Sequence, residues 1–130
     1  MSPSTAIVTG ASQGIGRATA IRLAKDFKAI VLVARNQEHL QETARSVEAN
    51  GAKARILDLD LSDKSAAKTV VEKTLEAFGR IDALLNIAGA VPQIDLFDMT
   101  DEQWDNGMAL KLHGARRLTI DAWPALKESK

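Results

Sequence analysis

The sequence predicts a doubly wound parallel α/β sheet, and three observations carry that prediction. Short apolar runs recur at residues 5–9, 29–34, 53–57 and 81–87. Stretches with helical periodicity separate them, at 14–26, 37–49 and from Ser62 or Asp63 to 78. Between the first run and the first helical stretch the chain breaks into Thr9-Gly10-Ala11-Ser12-Gln13-Gly14-Ile15-Gly16. Units of strand and helix near about thirty residues repeat in the manner of βαβ crossovers, whose fixed right hand gives a parallel sheet. The expected strand order is 3-2-1-4, with helices on both faces, in a three-layer Rossmann-type arrangement.

Each element has its own signal. The first helix carries an apolar stripe of Ile15, Ala18, Ile21, Leu23 and Ala24. The second run, Ala29-Ile30-Val31-Leu32-Val33-Ala34, is continuously apolar, as a strand buried on both faces requires. The second helix stops at Asn50-Gly51 and the third at Gly79, both ordinary C-terminal signals. The fourth run closes at Ala88-Gly89-Ala90, and a loop follows around Val91-Pro92-Gln93. Thr100-Asp101-Glu102 then opens a long helical region reaching about residue 126. Gly107 and Gly114 weaken it locally, and Pro124 marks an end or a kink.

The glycine-rich break is the first functional signal. Glycines admit a ligand close to the backbone, and the helix that follows presents free N–H groups and its positive dipole end. A strand, such a turn and a helix together make a phosphate cradle. The spacing is G-x-x-x-G-x-G rather than G-x-G-x-x-G, and an ordinary flexible βα turn would show a similar pattern. No Walker lysine is present, because Arg17-Ala18 follows Gly16.

Composition narrows the classes. Lysine plus arginine and aspartate plus glutamate each number 17, so no basic footprint for nucleic acid or an anionic membrane appears. The chain has no cysteine, which excludes disulfides, thiolate catalysis and cysteine-ligated metal. His39 and His113 lack a paired ligand, read as structural or surface residues, and no metal site is expected. Arg22 with Asp26 and Lys68 with Glu72 fall at i,i+4, the signature of solvated helix faces. The N-terminus lacks a basic leader region, and no apolar run is long enough to span a bilayer. A soluble, cytoplasmic protein is the expectation.

The glycine loop, Asp60-Leu61, Asn86-Ile87-Ala88-Gly89 and Trp104-Asp105 occur in that order at matching intervals. Together they resemble the N-terminal half of the short-chain dehydrogenase/reductase family, over about residues 5–126. The resemblance implies that residues 1–130 form a single NAD(P)-binding Rossmann domain that stops before the catalytic half. It also implies hydride transfer between a nicotinamide and a small-molecule carbonyl or secondary alcohol. Gly10, Gly14 and Gly16 would shape the pyrophosphate turn, lined by Ser12, Gln13 and Ile15. Asp60 would accept from the adenine amino group, although a helix-approach residue near Ser62 is the alternative, and Leu61 would pack on the ring. Asn86, Ala88 and Gly89 would stand beside the ribose and nicotinamide. Ile87 departs from the family's Asn-Asn-Ala-Gly, with little effect if its side chain points into the core.

Charge selects the cofactor. Where an NAD site wants a carboxylate after the second strand, this chain has Ala34 and then Arg35, which suits a 2′-phosphate. NADP is therefore expected in preference to NAD, although NADP-preferring relatives often carry a basic residue where Gln13 stands. Arg17 either adds positive potential or is a solvated helix arginine.

The family's chemistry uses a serine, a tyrosine and a lysine that lie beyond this stretch, and the chain contains no tyrosine. No catalytic residue is assigned, Ser129 included, and the 130 residues alone are expected to be inactive. Lys111 takes the place of an asparagine that serves the family's proton relay; a solvated helix lysine is the equal alternative. Residues 91–97 would supply one wall of the substrate pocket. The fourth strand would leave an apolar edge, and the long helix around 104–126 would support a homo-oligomer. The chain thus reads as a fragment of a larger enzyme. The alternative is a non-catalytic nucleotide-binding or regulatory module working through a partner.

Overall fold

The computed structural model describes residues 3–89 and 93–129. Ala90, Val91 and Pro92, which the sequence reading places at the end of the fourth strand and in the loop after it, lie outside the described residues. The elements run β1 (Thr5–Thr9), α1 (Gly14–Leu23), β2 (Ala29–Ala34), α2 (Gln37–Ala49), β3 (Lys53–Asp58), α3 (Ala66–Phe78) and β4 (Ala83–Leu85). Then come α4 (Asp101–Met108), a π-helical turn (Ala109–Gly114) and α5 (Ala115–Glu128).

All strand pairings are parallel and the order is β3-β2-β1-β4, as expected. The registers pair Ile7 with Val31 and Leu84, and Leu32 with Ile56. Every residue of β1 is buried. Successive side chains leave a strand on opposite faces, and this alternation divides the core in two. Ile7, Val31 and Val33 meet Ala67 and Val70 of α3 and Leu118 and Ala122 of α5. Ala6, Val8, Ile30 and Leu32 meet Ala20 of α1 and Leu40, Ala44 and Val47 of α2. Continuously apolar strands are thus what a three-layer α/β/α packing demands.

Boundaries differ from the sequence reading where local hydrogen bonds compete. The α1 helix ends at Leu23 rather than 26, because Lys25 and Asp26 N–H bond three residues back, to Arg22 and Leu23 carbonyls. Neither Ser62 nor Asp63 caps α3. Asp60 and Asp63 instead hold consecutive turns, each accepting from the N–H and hydroxyl of the serine two residues on, so the helix begins only at Ala66. Strand β4 is three residues long because Ile87 N–H turns to the Thr9 hydroxyl at 2.9 Å. The strand lies at the sheet edge and pairs with β1 alone.

The long helical region is one continuous rod with a wider turn in its middle. Thr100 and Gln103 form a reciprocal capping box at its start. The π-turn ends at Gly114, where a Cβ would come within 2.7 Å of the Leu61 carbonyl oxygen. A side chain there would force the helix off the loop that follows β3. Pro124 lies inside α5, which continues to Glu128.

Candidate functional site

The strand order reverses between β1 and β4: the chain moves from β1 towards β2 and β3, then returns to the other side. In open parallel sheets ligands bind outside the carboxyl ends of strands at such a point. A cleft of about 530 Å³ opens there. The loop from Gly10 to Gly16 forms its floor; Arg35, Asn36 and His39 close one end. Leu59 and Leu61 follow from β3, Ile87, Ala88 and Gly89 from β4, and Leu110 from the π-turn.

The three glycines of the loop are needed for different reasons. At Gly10 φ is 66°, and a Cβ would stand 3.0 Å from the Ala88 N and Cα, so the exit of β4 lies directly against the turn. At Gly16 a Cβ would lie 1.9 Å from the Gly10 carbonyl oxygen, which lets α1 start tight against the turn. Gly14, at φ 56°, has nothing within 4 Å of that position.

The start of α1 is also electrically suited to an anion. Its N-cap, Gln13, makes no side-chain cap, and no acidic residue occupies its first turn. By contrast Asn36 caps α2, accepting from His39 N–H at 3.0 Å, and the capping box closes α4. The α1 terminus therefore faces the cleft with helix-start donors of the kind that α2 and α4 satisfy with side chains.

Ten of the sequence-assigned residues line this one cleft: Gly10, Ser12, Gln13, Gly14, Ile15, Gly16, Arg35, Leu61, Ala88 and Gly89. Asp60 and Asn86 do not. Asp60 turns its Oδ1 to Ser62, accepting from Oγ at 2.6 Å and from N–H at 3.0 Å. The Ser62 hydroxyl, then its N–H, and more weakly the Arg35 charge hold the Asp60 carboxyl below its ordinary pKa. The turn engages Oδ1 alone and does not involve Oδ2. Asn86 Nδ2 donates to Thr119 Oγ1 of α5 at 3.0 Å, on the side away from the α1–α2 core that Ile87 packs against.

Arg17 does not line the cleft, and its side chain is only partly exposed. Its guanidinium donates to Thr43 Oγ1 at 2.9 Å, to the Ser12 carbonyl at 2.6 Å and to the His39 carbonyl at 3.1 Å, and pairs with Glu42 at 3.2 Å. Thr43 Oγ1 also lies 2.8 Å from the Ala11 carbonyl. Arg17 and Thr43 thus tie the glycine loop to both α1 and α2.

Thr9 is a second residue that sequence reasoning passed over. Its hydroxyl accepts from Ile87 and Ala88 N–H, each at 2.9 Å, and donates to the Leu85 carbonyl at 3.3 Å. One donor and two acceptors exhaust a hydroxyl's capacity. The only signal in the sequence was a polar residue closing an apolar strand beside Gly10.

Lys111 lies in the π-turn with its stem against Gly89: Cγ and Cδ would be 3.6 and 3.5 Å from a Cβ there. Among the described residues no group of three His, Cys, Asp or Glu could hold a metal ion, and no helix is long and apolar enough to cross a membrane.

A model of the family described as short chain dehydrogenase matches residues 4–130. The chain belongs to the short-chain dehydrogenase family. It is 38% identical over 117 residues to the short-chain reductase protein NovJ of Streptomyces niveus, covering 90% of this chain and 45% of that protein. Among solved structures it is similar to the L-sorbose reductase of Gluconobacter frateurii complexed with NADPH and L-sorbose, with TM-score 0.90 and 34% identity over 98% of this chain and 49% of that one. It is also similar to an NAD+-bound xylitol dehydrogenase, with TM-score 0.88 and 30% identity over 95% and 48%. The chain spans about half the length of the relatives it matches. The family's dehydrogenases and reductases are oxidoreductases of Rossmann type, and members with either NADPH or NAD+ bound share this fold.

Proposed function

We propose that residues 1–130 are one cofactor-binding unit, which holds NADP in a short-chain oxidoreductase acting on a carbonyl or secondary alcohol. The observation that carries this reading is the cleft at the strand-order reversal, with the uncapped α1 terminus on its floor and Arg35 at one end. The pyrophosphate would lie on Gly14, Ile15 and Gly16 N–H, beside Ser12 and Gln13. Leu61 and Leu59 offer apolar surface to the adenine. Ala88 and Gly89, on the β4 side of the reversal, flank the nicotinamide half. Asp60 bonds Ser62 through Oδ1 alone and Asn86 bonds Thr119 through Nδ2 alone, so Asp60 Oδ2 and Asn86 Oδ1 could meet the cofactor with those bonds kept.

Arg35 makes no hydrogen bond or ion pair among the described residues, and a guanidinium fork suits a phosphomonoester. Among the described residues no carboxylate side chain lines the cleft. Both features favour NADP over NAD. When bound, the nicotinamide supplies or accepts the hydride; these residues bind it, orient it and shield it from water. With no tyrosine in the sequence, the tyrosine-dependent proton step that the family resemblance implies cannot be made by these residues alone. The exposed Trp104, Leu112, Ile120 and Trp123 along α4, the π-turn and α5 support a homo-oligomer through that rod.

Titration calorimetry of the chain with NADPH and with NADH tests the reading. Tighter binding of NADPH by about tenfold or more is expected, with the preference lost in Arg35→Asp. Equal affinity would remove the NADP assignment, and binding of neither would remove the cofactor-binding reading itself.

A further inference from the structure

Arg35 brings positive charge to the β2 end of the cleft, and Lys111 brings a second positive charge beside its β4 side. A contact locates the lysine side chain. Its Cβ, Cγ and Cδ lie 3.9, 3.6 and 3.5 Å from the position a Cβ would take on Gly89, and Gly89 lines the cleft. The two bonds from Cδ to Nζ span about 2.5 Å, so the ammonium stands within about 6 Å of that position. It makes no ion pair among the described residues. Lys111 also borders a hollow of about 520 Å³ walled by Met99, Trp104, Met108 and Leu112, in which it is the only charged residue. The backbone beneath it is seated firmly. Lys111 belongs to the π-turn, which ends where a Cβ on Gly114 would come within 2.7 Å of the Leu61 carbonyl oxygen.

We propose that Lys111 makes this site distinguish the two oxidation states of the nicotinamide, holding the reduced form in preference to the oxidised one. This inference rests on the cofactor reading above, in which Ala88 and Gly89 flank the nicotinamide half. The two forms share phosphates, riboses and adenine, and they differ at the ring. The reduced ring is neutral, whereas the oxidised ring carries one positive charge. An ammonium held near the ring repels the second and is indifferent to the first. Its attraction for the phosphates acts on both forms alike and cancels in the comparison. Among the described residues no carboxylate side chain lines the cleft or the hollow, so none there offsets the ammonium or draws in a cationic ring.

Lys111 is exposed, and water moderates the repulsion. Across about 10 Å, at an effective dielectric constant of about 40–80, one unit charge changes the affinity for another by about twofold to fourfold. The bias has a direction. Carbonyl reduction moves a hydride from the ring to the carbonyl carbon and leaves the positive charge on the ring, while the proton for the oxygen comes from outside these residues. The spent cofactor is thus the form held less firmly, which suits carbonyl reduction.

The test is calorimetric titration of NADPH and of NADP+ into the full 130-residue chain and its variants. Lys111→Met keeps most of the stem and removes the charge. It should lower the NADPH-over-NADP+ affinity ratio by about twofold to fourfold, chiefly by tightening NADP+ relative to NADPH. Lys111→Arg keeps the charge and should keep the ratio. A ratio unchanged in Lys111→Met, with both affinities intact or falling together, would overturn the inference and leave the cofactor reading standing. A ratio that falls as far in Lys111→Arg as in Lys111→Met would assign the effect to packing and overturn it too. Binding of neither cofactor by the unsubstituted chain would remove the cofactor reading and this inference with it.

Discussion

Replacing Gly16 with alanine isolates the contact on which the glycine turn depends. The new Cβ would lie 1.9 Å from the Gly10 carbonyl oxygen and 2.5 Å from its carbon, where ordinary contact begins near 3.4 Å. One backbone segment must therefore retreat by about 1.5 Å, and no flexible side chain is available to yield instead. Overpacking of this kind costs about 1–3 kcal/mol, and a backbone obstacle puts it at or above the top of that range. Better helix propensity returns under about 1 kcal/mol, less in a first turn than in a helix interior. A net loss of about 2–3 kcal/mol corresponds to a melting temperature lower by about 7–11 °C for a chain of this length, from an unfolding entropy of about 2.1 cal/mol/K per residue. Gly14→Ala is the control. Its site is open but left-handed, so it costs about 1–2 kcal/mol, or about 4–7 °C. Scanning calorimetry of the three proteins decides the matter. A Gly16→Ala protein as stable as Gly14→Ala would show that the close approach of α1 to the turn is not what requires glycine.

Four further outcomes follow from the same geometry. Thr9→Val keeps the shape of the side chain but removes the acceptor of Ala88 N–H and one of the two acceptors of Ile87 N–H at the β4 exit; a loss of about 1–2 kcal/mol in urea unfolding is expected, together with weaker dinucleotide binding. Arg17→Met should lower the urea midpoint and weaken AMP binding as well, because it frees the Ser12 and His39 carbonyls together; unchanged AMP affinity would refute the bracing role. Gly114→Ala should destabilise the chain by about 1–3 kcal/mol, since its Cβ meets the Leu61 carbonyl, whereas Gly89→Ala should be near neutral, its Cβ resting against the flexible Lys111 stem. The Asp60 carboxyl is held below its ordinary pKa by Ser62, so its contribution is full above the unfolded value near about 3.9 and is lost as pH falls through the lower folded one. Asp60→Asn should accordingly flatten the acid limb of the stability–pH curve below about pH 4, and an unaltered limb would refute the assignment.

The parts of the fold legible in the sequence are those where one physical signal dominates. A run such as Ala29–Ala34 has no face to offer water and so sits inside a parallel sheet. Gly10, Gly14 and Gly16 announce a turn that no other residue builds equally well. What stayed hidden was the competition for hydrogen bonds. Ser62 looks like a helix cap when read alone; in three dimensions it bonds Asp60 Oδ1, and α3 starts later for it. Asn86 and Thr119 are 33 residues apart, and Thr9 and Ala88 are 79 apart, so neither pair has a local pattern to betray it. Arg17 is the sharpest case. Its place near the glycines suggested either added positive potential or a solvated helix arginine, yet its donors go to carbonyls and side chains of the protein. Which polar residues remain free to meet a ligand is thus decided by subtraction: a side chain is available only if the fold has not already used it, and that depends on partners far away in the chain.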